Sequence, residues 1–148
     1  MRRLLCLMAI LLAAPAWAGA LANGQLLYAP VYSHIYTGNK QRPFDLAVTL
    51  SVRNSDPRHA IRVLSVDYFS SDGKLLRSFL QSPMDLAPLQ ATEFVINESD
   101  TSGGSGASFL VRWSAQGPVN VPVVETVMIG TSGSQGISFL SPARVIEE

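Results

Sequence analysis

Hydrophobic and polar residues alternate most regularly between Phe44 and Leu80. In the first part, FDLAVTLSVRN, an apolar residue occupies every second position from Leu46 to Val52, which is the pattern of a half-buried strand. A polar break at 55–57 leads into a second extended run, AIRVLSVDYF, and a Ser-Asp-Gly turn leads into a third, KLLRSFL. Because the connections are tight, these three runs predict an antiparallel meander.

The second run changes phase near its middle. Ile61 and Val63 are odd-numbered, whereas Leu64, Val66 and Tyr68 are even-numbered. Either this strand is buried on both faces, or a β-bulge near Val63 re-aims its side chains.

Further short extended runs precede and follow the meander. LLYAPVYSHIY comes before it, and ATEFVINE, ASFLVRWSA, VPVVETVMIG and GISFL come after it. Pro30 predicts an edge strand or a bulge, since proline cannot donate to the ladder. Residues 19–25 are expected to form a loose leader, and residues 81–88 have room for a single helical turn.

The spacing of these runs predicts the fold class. About eight short strands with turn signals between them, and little or no helix, are typical of an all-β antiparallel sandwich. We expect a single domain of the immunoglobulin- or fibronectin-like type, with Trp113 in its core.

The first 18 residues have the pattern of a secretory signal peptide. A basic start at Arg2 and Arg3 precedes an apolar run, and Ala16-Trp17-Ala18 fits a small-x-small cleavage site. The apolar run is too short for the roughly 20 residues of a spanning helix. We therefore expect cleavage after Ala18, one domain over 19–148, a periplasmic or secreted location and no stable insertion in the membrane.

Cysteine usage and charge exclude several classes of site. The one cysteine, Cys6, lies in the predicted signal peptide, so the mature chain has neither disulfides nor thiolate metal ligands. Without Arg2 and Arg3, nine basic residues stand against eleven acidic ones, and they form no basic stripe. A nucleic-acid partner is not expected, because phosphate contacts need clustered Lys and Arg.

Several long motifs resemble a bacterial family of domains of unknown function, the one numbered 3124. In chain order they are YAPVYSHIY, VTLSVRN, the Asp67-Tyr68 pair, SDTSGGSGASFLVRW, ETVMIG and QGISF. The resemblance covers Gly24 to about Ile146. It implies a small exported bacterial protein of one domain, without assigned activity, and it provides no catalytic residues.

His34, between two tyrosines, is the first candidate for chemistry. It could ligate a metal together with Asp100 and Glu125, although usual sites gather three or four such ligands at recognisable spacing. A soft copper site with Met84 and Met128 is a further hypothesis. The favoured alternative is a partly buried His34 that holds strand geometry through hydrogen bonds.

A glycine-rich stretch, SDTSGGSG, is the second candidate. It lacks the Gly-Lys-Ser/Thr ending of a phosphate loop and the spaced ligands of a calcium loop, so a mobile or tightly turning connection is the better interpretation. We assign part of it, with the tyrosine segment, to a candidate binding surface. Its residues are Tyr32, Ser33, Tyr36, Gly103, Gly104 and Gly106.

Catalysis finds little support in the sequence. There is no G-x-S-x-G elbow, and a Ser105–His34–Asp100 triad is one of many combinations that the numerous serines allow. We therefore expect a non-enzymatic binding or interaction module of the cell envelope, without a cofactor and with an envelope protein as its partner. The alternative is a small metal-binding protein that uses His34.

Overall fold

The computed structural model describes residues 21–148, which contain twelve β-strands and no helix. The predicted signal peptide, 1–18, lies outside these residues. The strands are β1 (Leu21–Val31), β2 (His34–Thr37), β3 (Arg42–Asp45), β4 (Ala47–Arg53), β5 (Ile61–Phe69), β6 (Leu75–Ser78), β7 (Met84–Leu86), β8 (Ala91–Ile96), β9 (Ala107–Asn120), β10 (Val123–Ser132), β11 (Gln135–Pro142) and β12 (Arg144–Glu147).

The strands form two main antiparallel sheets. The first sheet has the order β12-β1-β9-β5-β6, with β7 also paired to β5, and the second has the order β11-β10-β4-β8. β2 and β3 form a separate hairpin. No helix long and apolar enough to cross a membrane occurs within 21–148.

One hydrophobic core lies between the two sheets. Alternate residues of both sheets enter it, and its largest fully buried side chains are Trp113, Tyr68 and Phe109. The Thr126 hydroxyl of the second sheet donates to the carbonyl of Pro30 in the first at 2.6 Å. The predicted all-β antiparallel sandwich and the core tryptophan are confirmed, whereas the immunoglobulin-like connectivity stays a prediction.

The predicted meander is wrong in one of its two pairings: the second and third runs, β5 and β6, pair antiparallel as predicted, but the first run, β4, does not pair with β5. β4 pairs with β10 and β8 in the second sheet, while β5 pairs with β9, β6 and β7 in the first. The connection between β4 and β5 therefore crosses from one sheet to the other. Alternation shows which residues of a strand face the core, but both sheets face the same core, so alternation does not identify the sheet.

The strand count also differs from the expected eight. The four additional strands are β2, β3, β7 and β12, and none is longer than four residues. Such strands are too short to show an alternating pattern. β7 occupies the place where a helical turn was expected, and β1 begins at Leu21 within the expected loose leader.

Two local predictions concern single residues. The register of β5 on β9 shifts between Val63 and Ser65, which confirms the bulge that re-aims the strand. β1 is not an edge strand, because it lies between β12 and β9. Its pairing with β12 nevertheless ends at Tyr28, so Pro30 occupies a stretch that β9 alone flanks.

Candidate functional site

A groove opens where β5 and β9 separate at one end of the first sheet. The two strands are paired from Phe69↔Ser108 as far as Arg62↔Ser114. Residues 115–118 of β9 then have no register partner on β5 or β1, and pairing with β1 resumes at Ala22↔Val119. The four residues form one wall of a groove of about 660 Å³.

The opposite wall of the groove is the chain that enters β5. Residues 58–62 and Asp85 of β7 face residues 114–119 across the opening. Ile61 and Val119 are buried and give the groove an apolar floor. The polar side chains of its lining are Arg58, His59, Arg62, Asp85, Ser114 and Gln116.

Asp56 is a buried carboxylate behind this wall. Its Oδ1 accepts hydrogen bonds from the backbone N–H of Arg58 at 2.9 Å and of His59 at 2.8 Å. Its Oδ2 accepts from the backbone N–H and the side-chain amide of Asn120 at 3.0 and 3.1 Å. These hydrogen bonds hold the pKa of Asp56 well below its ordinary value, and the bond from the Asn120 backbone has the largest effect. Burial of the carboxylate acts in the opposite direction, because it raises the pKa. Asp56 therefore joins both walls of the groove.

Asn54 also supports this wall of the groove through hydrogen bonds. Its side-chain amide donates to the carbonyls of His59, Leu86 and Ala87 at 2.8, 3.2 and 3.0 Å. Its side-chain oxygen accepts from the backbone N–H of Asp56 at 3.0 Å. Since Asn54 is buried and all these partners are strand ends or turns, the wall of the groove is rigidly built.

His59 is oriented by the same carboxylate. Its Nδ1 lies 3.0 Å from Asp56 Oδ1, and an ionised carboxylate can only accept, so Nδ1 carries the proton. The imidazole is more than half exposed. Its Nε2 edge therefore remains for a ligand.

The two arginines of the groove differ in their partners. Arg62 forms a two-pronged ion pair with Asp85, with N–O distances of 2.6 and 2.8 Å. This pairing lowers the pKa of Asp85. Arg58 is exposed and forms no side-chain hydrogen bond or ion pair with any residue of the described range.

The residues assigned to a metal site from the sequence are not brought together. His34 Nε2 lies 3.2 Å from the Tyr36 hydroxyl. Asp100 accepts from Ser102 and pairs with Arg77 at 3.5 Å, and Glu125 pairs with Arg53 at 3.8 Å. Residues 21–148 contain no group of three or more His, Cys, Asp or Glu side chains that could hold a metal ion.

The copper and triad combinations likewise share no contact. Met128 is fully buried in the core, and Met84 is half-buried on β7. In the part of the chain that is described, no hydrogen bond joins Ser105, His34 and Asp100.

The candidate binding surface divides into two parts. The buried Ser33 donates to Gly104 O through its backbone N–H at 3.1 Å and its hydroxyl at 3.0 Å. Ser71 holds the same loop, donating to Gly103 O and accepting from the backbone N–H of Gly106, both at 2.9 Å. The glycine-rich stretch is thus a tightly turning connection.

The tyrosines of that surface lie apart from the loop contacts. Tyr32 packs edge-on against Phe139 of β11, and Tyr36 packs edge-on against His34. Ser33, Gly103 and Gly104 are used in holding the loop, and Tyr36 is exposed.

The groove was not predicted from the sequence. Asp56 lay within the stretch interpreted only as a polar break, 55–57, and His59, two residues beyond it, was assigned no role. The available signal was Asp56 followed by Pro57, because an aspartate often accepts from backbone N–H groups two and three residues on.

The fold and the groove define an all-β protein of two antiparallel sheets with an open cleft at one end of the first sheet. The chain belongs to the family described as "Protein of unknown function (DUF3124)", whose model matches residues 24–146. This confirms the family resemblance found in the sequence.

No curated protein matches the chain. The crystal structure of Thermotoga maritima 1070 aligns with it at a TM-score of 0.48 and 9% identity, over 85% of this chain and 96% of that one.

Proposed function

We propose that the chain is an exported bacterial protein that acts as a non-enzymatic binding module of the cell envelope, and that the groove between β5 and β9 holds its ligand. The proposal is carried by the groove itself, a concave site with an apolar floor and a few polar groups on a rigid frame. Its volume of about 660 Å³ lies within the ~300–1,000 Å³ usual for small-molecule sites.

The hydrogen bonds around the groove support binding over catalysis. Asp56 and His59 form an acid–base pair, but a nucleophile would have to be within hydrogen-bond reach of the imidazole. Across residues 21–148, no serine or threonine hydroxyl is hydrogen-bonded to a histidine. Export is supported by the predicted signal peptide.

Blocking the groove tests the proposal. Gly117 lines the groove and a Cβ there would meet no atom within 4 Å, so Gly117→Phe can start a large side chain at the wall without a backbone clash. Gly136→Phe is the matched control, because Gly136 lies on β11 of the second sheet and a Cβ there makes only ordinary contacts of 3.9 Å.

The measurement is a thermal melt of wild type and both variants against a library of acids, amines and neutral small molecules. A ligand at ~100 times its dissociation constant adds about 2.7 kcal/mol, which raises Tm by roughly ten degrees for a domain of this size. We expect ligands that stabilise wild type and Gly136→Phe but not Gly117→Phe. A library without any stabilising compound, or compounds that stabilise all three proteins equally, would contradict the proposal.

A further inference from the structure

We infer that the groove takes a small organic acid, with its carboxylate on the Arg58 guanidinium and its apolar body on the floor of the groove. This inference rests on the proposed function and names its ligand class. It is carried by the difference between the two arginines at the rim.

Arg58 is the available cation of the groove. Its backbone N–H is held by Asp56 at 2.9 Å, which fixes the point from which its side chain starts. Its guanidinium is exposed and makes no ion pair with any other side chain of residues 21–148. A guanidinium presents two parallel N–H groups that match the two oxygens of a carboxylate.

The other charges of the groove are already engaged. Arg62 and Asp85 satisfy each other through two short hydrogen bonds. A cationic ligand would have to displace Arg62 in order to reach Asp85. Asp56 is buried and accepts five hydrogen bonds, so it offers the groove no free acceptor.

His59 provides a second polar contact at the same wall. Because Asp56 holds Nδ1, the ring is fixed with its Nε2 edge free. In this tautomer Nε2 is an acceptor, so it can accept a hydrogen bond from an O–H or N–H group on the body of the ligand. The charged side chains at the groove or directly behind its wall are those of Arg58, Arg62, Asp85 and the buried Asp56.

The floor of the groove limits the rest of the ligand. Ile61 and Val119 are buried beneath it, and Ala115 and Pro118 line its side. Ala115 and Pro118, which are not buried, gain by being covered with an alkyl or aryl group, at about 25 cal/mol per Å² of apolar area removed from water. The ligand is therefore an acid with an apolar body rather than a bare inorganic anion.

The test compares probes that differ only in their polar group. Hexanoate, hexanamide and hexylamine form one set, and benzoate, benzamide and benzylamine form the other. Binding is followed by ¹⁵N-resolved NMR titration of wild type, Arg58→Gln, Arg58→Lys and Gly117→Phe. Arg42→Gln is the matched control. Arg42 is exposed on the β2–β3 hairpin, so this substitution removes the same charge at a place away from the groove.

We expect the acids to bind at least about tenfold more tightly than their amides and amines, since a hydrogen bond to a charged group is worth about a factor of ten or more. Arg58→Gln should lose that preference, Arg58→Lys should retain part of it, and Arg42→Gln should retain all of it. Gly117→Phe should abolish binding of every probe.

Two outcomes overturn the inference in different ways. If amides or amines bind in the groove as well as the acids and Arg58→Gln changes nothing, the ligand class is wrong while the groove remains a binding site. If no probe binds and the compound library also fails to stabilise the protein, both the ligand class and the proposed function fail.

Discussion

Gly103 and Tyr68 meet where the glycine-rich loop crosses the edge of the core. Gly103 is buried, and a Cβ there would overlap the Tyr68 hydroxyl and come within 2.9 Å of the Ala107 Cβ. The Tyr68 hydroxyl is itself buried and has no hydrogen-bond partner among residues 21–148. Burial, and next the charge of Asp100, raises the pKa of Tyr68 to about 12. Glycine is required at position 103 because the backbone lies too close to Tyr68 and Ala107 to leave room for a side chain.

A double-mutant cycle tests this contact. Gly103→Ala should lower the free energy of unfolding by about 1–3 kcal/mol, because the added methyl group overpacks the site. Tyr68→Phe should be neutral or stabilising by about 1 kcal/mol, since it removes an unpaired buried hydroxyl. The double variant should lose less than Gly103→Ala alone, because the nearest obstacle is gone.

Urea unfolding of the four proteins measures the coupling. Gly117→Ala serves as control, since a Cβ there meets nothing within 4 Å. Additivity of the two changes within ~0.3 kcal/mol would show that the hydroxyl does not set the requirement for glycine.

At the scale of elements, the connection from β4 to β5 organises the groove. It crosses between the sheets, and the side chains of Asn54 and Asp56 form hydrogen bonds with its backbone groups. Because the pKa of Asp56 is lower in the folded chain than in the unfolded one, its ionised form stabilises the fold. That contribution is fully present above about pH 4 and is lost as the pH falls toward the folded pKa.

Acid unfolding of wild type and Asp56→Asn measures this contribution. Asp56→Asn should be less stable at pH 7, because an amide cannot accept all five donors, and its stability should fall less steeply below about pH 4. Asp85→Asn is the control, since Asp85 also has a lowered pKa but lies exposed in an ion pair with Arg62. It should resemble wild type in both respects. Equal pH slopes for wild type and Asp56→Asn would refute the assignment.

The elements show how far the sequence could predict this molecule. The alternation of β4 and the phase change of β5 depend on nearest neighbours along the chain, so both were predictable. The partners of β4 are β8, about forty residues later, and β10, seventy or more residues later, and no local pattern records such pairings. The groove was missed for the same reason, because the residues near 58 and those near 116 meet only after β5 and β9 have paired and separated.

At the scale of the whole molecule, the first and last described strands lie side by side. β12 pairs with β1 from Leu26↔Glu147 to Tyr28↔Arg144 and forms one edge of the first sheet. All four residues of β12 are exposed, so it contributes backbone hydrogen bonds and cover rather than core.

Removing residues 144–148 tests the role of this edge. We expect a loss of about 1–3 kcal/mol, from a few ladder hydrogen bonds, together with self-association through the uncovered part of β1. Thermal melting and light scattering measure the two effects. The Val145→Thr/Ile146→Thr variant keeps the strand and should remain monomeric. A truncated protein that melts and scatters like wild type would show that β12 does not protect β1.

The pairing of β1 with β9 and β12 also determines when the protein can fold. A ribosome that adds about 5–20 residues per second needs about 6 to 25 s to pass from β1 to β12. Throughout that interval β1 has no complete set of neighbours, and antiparallel partners so distant in the chain form slowly even afterwards. The first sheet therefore cannot be complete until β12 has been made, and during those seconds the backbone of β1 lacks its full set of hydrogen-bonding neighbours and is open to aggregation.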